Sequence, residues 1–202
     1  WNEPDGATPK PLKQAKRSIA AEFTVKLPAD FAFTALADFD GYAPKTGHVN
    51  GFAMAMDPSN NSGWLTHCYG AVGIGRDNEA DSGSGTSMYV VTGHAPRHLD
   101  RNITLVGTVR QGMALLSTLP RGQGDMGFYT SADQYTYIKD ITLAADLPPA
   151  RRTALQVLRT DTATFKGVVE AQRNRGGDWY LHPAGYIEVC NVRVPVRETQ
   201  VK

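Results

Sequence analysis

The chain has 202 residues, of which 41% are hydrophobic and 20% charged, enough for a real core without a metal or disulfide framework. Its 21 basic residues are scattered among 20 acidic ones, net charge +1, and show none of the basic face that neutralising several phosphates requires, which argues against nucleic acid. No apolar run approaches the roughly 18 residues of a membrane helix.

The first residue is Trp1, not Met, which implies that an upstream segment was removed or left out. Residues 1–11 are polar and rich in Pro and Gly and read as a loop. Residues 21–27 (AEFTVKL) alternate and predict a strand. Residues 28–63 carry turn signals (LPAD, DFDGY, DPSNNSG) and read mostly as long excursions, with one short helix around Phe31 to Ala37. Residues 70–87 are glycine-rich and polar between apolar strands. Residues 87–93 (SMYVVTG) and 103–111 (ITLVGTVRQ) are strands by β-branched and aromatic content. Met113, Leu116 and Leu119 have helical spacing, and Pro120 stops that helix. Residues 135–145 (YTYIKDITLAA) read as a strand closing the β-rich region.

The character changes at Asp146. Leu155, Leu158, Phe165, Val168 and Val169 carry a helical period, with Pro148 and Pro149 suited to its start and Gly176 and Gly177 to its stop. One or two strands follow from Trp179 to Val196, with a turn at Pro183 and Gly185. There is no internal repeat. The class is mainly β with a few helices.

Several constellations are weighed and set aside. The glycines of GAVGIGRDN do not have the G-x-G-x-x-G spacing and precede no helix. His67 and Cys68 are neighbours that point to opposite sides of a strand, so they make no nucleophile–base pair. His48, His67, His94, His98 and His182 are spread out without zinc-ligand spacing. Asp77, Glu79 and Asp81 lack the closing Glu of a calcium loop. Arg151, Arg152, Arg173 and Arg175 read as a solvated face. Cys68 and Cys190 are either one bridge or two buried thiols.

From Tyr69 to Arg121 the blocks Gly70-Ala71-Val72-Gly73-Ile74-Gly75, Ser87-Met88-Tyr89-Val90, His98-Leu99-Asp100, Ile103 to Val109 and Gln111-Gly112-Met113 follow one another in a fixed order. This series resembles the core of the cyclophilin-type peptidyl-prolyl isomerases. Trp1-Asn2-Glu3 and Ser18 to Phe23 resemble flanking family segments more weakly. The resemblance covers about residues 1–145. It implies a cyclophilin-like antiparallel β-barrel with capping helices that lacks its first strands and helix. Residues 146–202 then form a C-terminal helix–strand extension, as in some larger bacterial members.

The function it implies is cis/trans isomerisation of X-Pro bonds in polypeptides, assisting protein folding, without a cofactor. The alternative is a non-catalytic module binding peptides or proteins, or a structural subunit of an assembly. By the family pattern Tyr89, Leu99 and Ile103 fall on the proline pocket, His98 where Trp is frequent, and Gly75, Arg76 and Ser87 along the substrate backbone. Tyr89 stands for a Phe, Ile103 for a His or Tyr, Ser87 for a Gln, and Met88 for the first Phe of the family motif. The family's catalytic Arg, with a Phe and a Gln, lies on a segment upstream of the position of Trp1. No catalytic residue is therefore assigned here, and no metal site. A separate N-terminal fragment completing the barrel is a candidate partner beside proline-containing polypeptides. Two cysteines in a Cys-poor chain, with the export signals frequent among such bacterial members, suggest a periplasmic or secreted protein, with the cytoplasm as alternative.

Overall fold

A computed structural model describes Lys16 and residues 18–199 of the chain. The loop expected over 1–11 and the Trp1-Asn2-Glu3 match lie outside these residues.

The strands in chain order are β1 (Val25–Lys26), β2 (Thr34–Ala35), β3 (Lys45–Val49), β4 (Phe52–Asp57), β5 (Ser62–Leu65), β6 (Ala71–Ile74), β7 (Met88–Val90) and β8 (Leu105–Thr108). Helix α1 (Met113–Ser117), β9 (Leu155–Val157), α2 (Ala163–Arg173) and β10 (Val196–Glu198) complete the regular elements. Three antiparallel sheets result, in the orders β1-β5-β4-β3-β2, β7-β6-β8 and β10-β9. The structure is mostly antiparallel sheet with few helices. Its strands fall into separate sheets rather than one closed barrel among the described residues.

Residues 28–63, expected as excursions, instead build most of the largest sheet. Asn50 and Gly51 carry φ of 48° and 83°, and Val49 pairs with Phe52 across them. Two consecutive positive φ values match the strand twist, so Asn-Gly closes β3 onto β4 as a tight hairpin. The next turn is organised by Asp57, whose Oδ1 accepts from the Ser59 amide at 2.9 Å and the Ser59 hydroxyl at 2.6 Å. The helix expected at 31–37 is replaced by the edge strand β2. Thr34 pairs with His48 and Ala35 with Gly47, and Gly47 lacks the Cβ that would strike the Thr34 carbonyl. Pairing with β3 outweighs a helical period too short to nucleate.

Three further expectations are corrected. The strand over 21–27 shortens to Val25–Lys26 on the sheet edge. Residues 135–145 belong to no sheet. Tyr137 and Ile141 are 75% and 65% exposed, and no described strand lies alongside to receive their amides. The helix expected from Pro148 begins at Ala163. Pro148 and Pro149 open only a single 3₁₀ turn, Leu155–Val157 is drawn into β9 by β10, and Thr162 supplies the N-cap by accepting from the Phe165 amide at 3.2 Å. The helix ends at Asn174, before the two glycines. Among the described residues after Trp179 the only strand is β10, preceded by a 3₁₀ turn at Val189–Asn191.

The core has two centres. Ala43, Ala55 and Trp64 pack within the large sheet. Phe165 and Val169 of α2 pack with Ile187 and Val192, with Leu36, Leu158 and Val194 around them. The His48 ring from β3 meets Phe165 edge-on at 5.1 Å, so the C-terminal segment shares apolar contact with the large sheet. Cys68, just after β5, is joined to Cys190 by a disulfide, which resolves the two open readings in favour of the bridge.

Candidate functional site

The three-stranded sheet brings part of the predicted site together. Gly75 donates its N–H to the Ser87 carbonyl at 2.5 Å, and Ile74 donates to the Thr104 carbonyl at 3.0 Å. The C-terminal end of β6 therefore runs between Ser87 on one side and the Asn102–Thr104 segment on the other. Arg76 extends that end. Its Nε donates to the Asn102 carbonyl at 2.8 Å, and one terminal nitrogen donates to the carbonyls of Asp77 and Asn78 at 2.7 and 3.1 Å. Its guanidinium also lies 5.3 Å from the centre of the Phe23 ring. Arg76 is thus a brace for the loop. Ile103 is half-buried beside it and Ser87 is exposed.

His98 and Leu99 lie on the 3₁₀ turn Arg97–Leu99 between β7 and β8, joined to the Asn102–Thr104 segment by the Asn102 N–H, which donates to the Leu99 carbonyl at 3.0 Å; His98 is exposed and Leu99 half-buried. Tyr89 has its hydroxyl held in the interior. Its ring lies over Gly73, the residue it pairs with across the sheet, where an added Cβ would strike the hydroxyl. The tip reaches inward, with the hydroxyl 2.8 Å from Nε2 of His67 and the two rings stacked at 9°. Successive strand side chains alternate between faces, so Met88 and Val90 occupy the face opposite Tyr89.

Behind Tyr89 lies a buried polar network that sequence reasoning did not find. His67 is fully buried, and its amide and Nδ1 lie 2.9 and 3.0 Å from Oδ1 of Asp100. An ionised Asp100 only accepts, so Nδ1 carries a proton; in the neutral imidazole Nε2 then accepts from the Tyr89 hydroxyl. Burial and the Asp100 charge push that hydroxyl up to about 12, which keeps it a neutral donor. Arg97, 3% exposed, donates to Asp100 Oδ2 at 2.6 Å, to both Asp40 oxygens at 2.9 and 3.1 Å, and to Glu188 Oε1 at 2.8 Å. Burial lifts the Asp100 carboxyl, but bonds from His67 and Arg97 outweigh it and hold the group below the ordinary range. Burial pulls the Arg97 guanidinium down, and the carboxylates of Asp40 and Asp100 more than restore it. The network ties the Arg97–Leu99 turn to Asp40, His67 and Glu188.

The large cavity of the structure, about 1190 Å³, lies elsewhere, between the C-terminal segment and the β4 and β8 strands. Its walls include Phe52, Leu105, Val109 and Val192 with both bridged cysteines, and none of the seven residues predicted for the site. Among the described residues no group of three His, Cys, Asp or Glu is placed to hold a metal ion, and no helix is long and apolar enough to cross a membrane.

Antiparallel sheets with few helices make this a mainly β fold. The sequence model of the family described as cyclophilin type peptidyl-prolyl cis-trans isomerase/CLD matches residues 7–142, and the chain belongs to that family. Its activity is accordingly that of an isomerase acting on X-Pro bonds, and proline-containing peptides are its general ligands. The fold is shared with the crystal structure of cyclophilin AquaCyp293 from Hirschia baltica, which is similar at TM-score 0.65 and 20% identity, covering 93% of this chain and 67% of that one. No curated protein matches the chain.

Proposed function

We propose that substrate lies along the ends of β6 and β7, with Ser87 and Gly75 beside its backbone. The prolyl ring rests against Leu99 and Ile103, and His98 forms the rim. The observation that carries this is the adjacency of Gly75, Ser87 and the Asn102–Thr104 segment at one end of the β7-β6-β8 sheet. Rotation of an X-Pro amide must break its resonance against a barrier of about 18–20 kcal/mol, and no proton or covalent bond changes hands. A site that binds the twisted amide better than either planar form lowers that barrier by differential binding alone. With Nε and one terminal nitrogen engaged by carbonyls, Arg76 is not given the electrostatic role, and no catalytic residue is named.

A protease-coupled isomerisation assay on the full-length protein tests this: a rate equal to the uncatalysed one removes the enzymatic assignment. The alternative, a peptide-binding module without catalysis, is favoured by one observation, the Tyr89 hydroxyl held inward by His67. Leu99→Asp abolishes peptide binding under either reading. Unchanged binding to this variant would mean the pocket is elsewhere.

The same proposal extends to organisation. The cyclophilin-like part runs to about residue 145, and 146–202 form an extension docked upon it. The Cys68–Cys190 bridge supports a periplasmic or secreted setting over the cytoplasm. Fractionation of the source cells followed by a thiol count checks this; reduced protein in the cytosolic fraction is the contrary result.

A further inference from the structure

We propose that the Cys68–Cys190 disulfide is a redox latch on the Arg97–Leu99 turn. The contacts form a closed ring. His67, the neighbour of Cys68, binds Asp100 through its amide and Nδ1. Asp100 accepts from Arg97 Nε, and Arg97 donates to Glu188 Oε1 at 2.8 Å. The other Glu188 oxygen accepts from the Cys190 amide at 2.9 Å, and the disulfide returns the path to Cys68. Three segments distant in sequence, 67–68, 97–100 and 188–190, are thereby locked to one another, and the S–S bond is the one covalent link across them.

The bridge is reachable. Both cysteines are half-buried and both line the large open cavity. A dithiol reductant entering there attacks one sulfur as its thiolate. The S–S bond breaks, a mixed disulfide forms, and the other cysteine leaves as thiolate and takes a proton. The reductant's second thiol then displaces the first cysteine, which is also protonated. Two electrons and two protons have passed to the protein, and the reductant departs as its own disulfide. Once the bridge is open, Glu188 is the weak point. Its side chain is 28% exposed, against 3% for Arg97 and 5% for Asp100, so water competes for it first. Release of Glu188 takes one carboxylate from Arg97 and loosens the turn that carries His98 and Leu99.

The effect on catalysis rests on the site proposed above; the effect on the turn does not. Hydrogen exchange of the full chain, oxidised and after reduction with dithiothreitol, reads the latch directly. Reduction is expected to speed exchange of the His67, Asp100 and Cys190 amides about tenfold while the β3–β4 hairpin amides change little. Equal acceleration everywhere, or none at Asp100, overturns the latch. Glu188→Ala in the oxidised protein is expected to speed Asp100 exchange with the bridge intact, and reduction of that variant then adds little. A full additional tenfold on reduction would show that the route does not pass through Glu188 and overturn the proposal. In the coupled assay, reduction lowers isomerisation at least about fivefold, roughly 1 kcal/mol. If the oxidised protein shows no isomerisation, the site assignment has failed, and the exchange data still decide the latch.

Discussion

Replacing Arg97 by Met keeps most of its apolar stem and removes the one cation that three carboxylates share. The consequences for the three differ. Glu188, 28% exposed, turns to water. Asp100 keeps the two donors of His67. Asp40, with its side chain 3% exposed, keeps a single bond, from the Tyr42 amide at 2.9 Å, and becomes a buried charge with almost no compensation. Removing one partner of a buried ion pair costs about 3–5 kcal/mol, chiefly because the other is left behind. Urea unfolding of Arg97→Met is therefore expected to lose about that much, a large share of the ~5–15 kcal/mol of an ordinary domain. The double variant with Asp40→Asn removes the stranded charge and is expected to recover about 1–3 kcal/mol. A loss under about 1 kcal/mol in the single variant, or no recovery in the double, would refute the idea that burial makes this cluster costly to break.

Other outcomes follow from single sites. Burial pushes the His48 imidazole down to about 4, and neither ring nitrogen has a partner. Its folded value is depressed, so its contribution is complete above about 6.5 and drains away as pH falls towards 4, by up to about 3 kcal/mol. His48→Phe removes that slope from the urea midpoint between pH 6.5 and 4, and an unchanged slope contradicts the assignment. Phe165→Ala empties a fully buried position of the second core centre and is expected to cost about 3–5 kcal/mol in thermal or urea unfolding. Gly73→Ala forces the Tyr89 ring away and breaks its bond to His67. A loss of about 1–3 kcal/mol and a changed near-ultraviolet tyrosine signal are expected, and a silent substitution means the ring does not lie over Gly73.

How much of this could be read beforehand depended on how local the cause was. β7, β8 and α1 were legible because Val, Ile, Tyr and Thr cluster in the strands, while Gly112, with φ of 90°, and Pro120 bracket the helix. The β3–β4 hairpin was legible too: Asn50-Gly51 between GHV and FAM is the strongest short hairpin signal, and reading 28–63 as long excursions made no use of it. Residues 135–145 show the converse. Their composition is that of a strand, but a strand is a relation between two segments, and composition names only one. The inward turn of Tyr89 follows from alternation along β7, which places it on the face opposite Met88 and Val90. The Arg97 cluster carried almost no signal. Its partners Asp40 and Glu188 are 57 and 91 residues away, and only the three-residue spacing to Asp100 was visible.

A reaction that moves no proton makes the position of that cluster intelligible. Differential binding of a twisted amide depends on walls that do not yield, because a wall that adjusts equally to planar and twisted forms lowers no barrier. The Arg97–Leu99 turn has only one short 3₁₀ turn of its own to hold it, and no hydrophobic side chain of that turn is fully buried. Its rigidity must come from behind. A guanidinium whose bonds to Asp40, Asp100 and Glu188 all point at once fixes orientation in a way that a Leu in the same space would not, since apolar contact has no direction. Two of those partners belong to the β-rich part and the third to residues 187–192, which also contribute Ile187 and Val192 to the core around Phe165. The C-terminal segment thus supplies part of what holds the turn, and Cys190 makes the link covalent. Under the site proposed above, the firmness of Leu99 comes from residues behind it rather than from its own contacts.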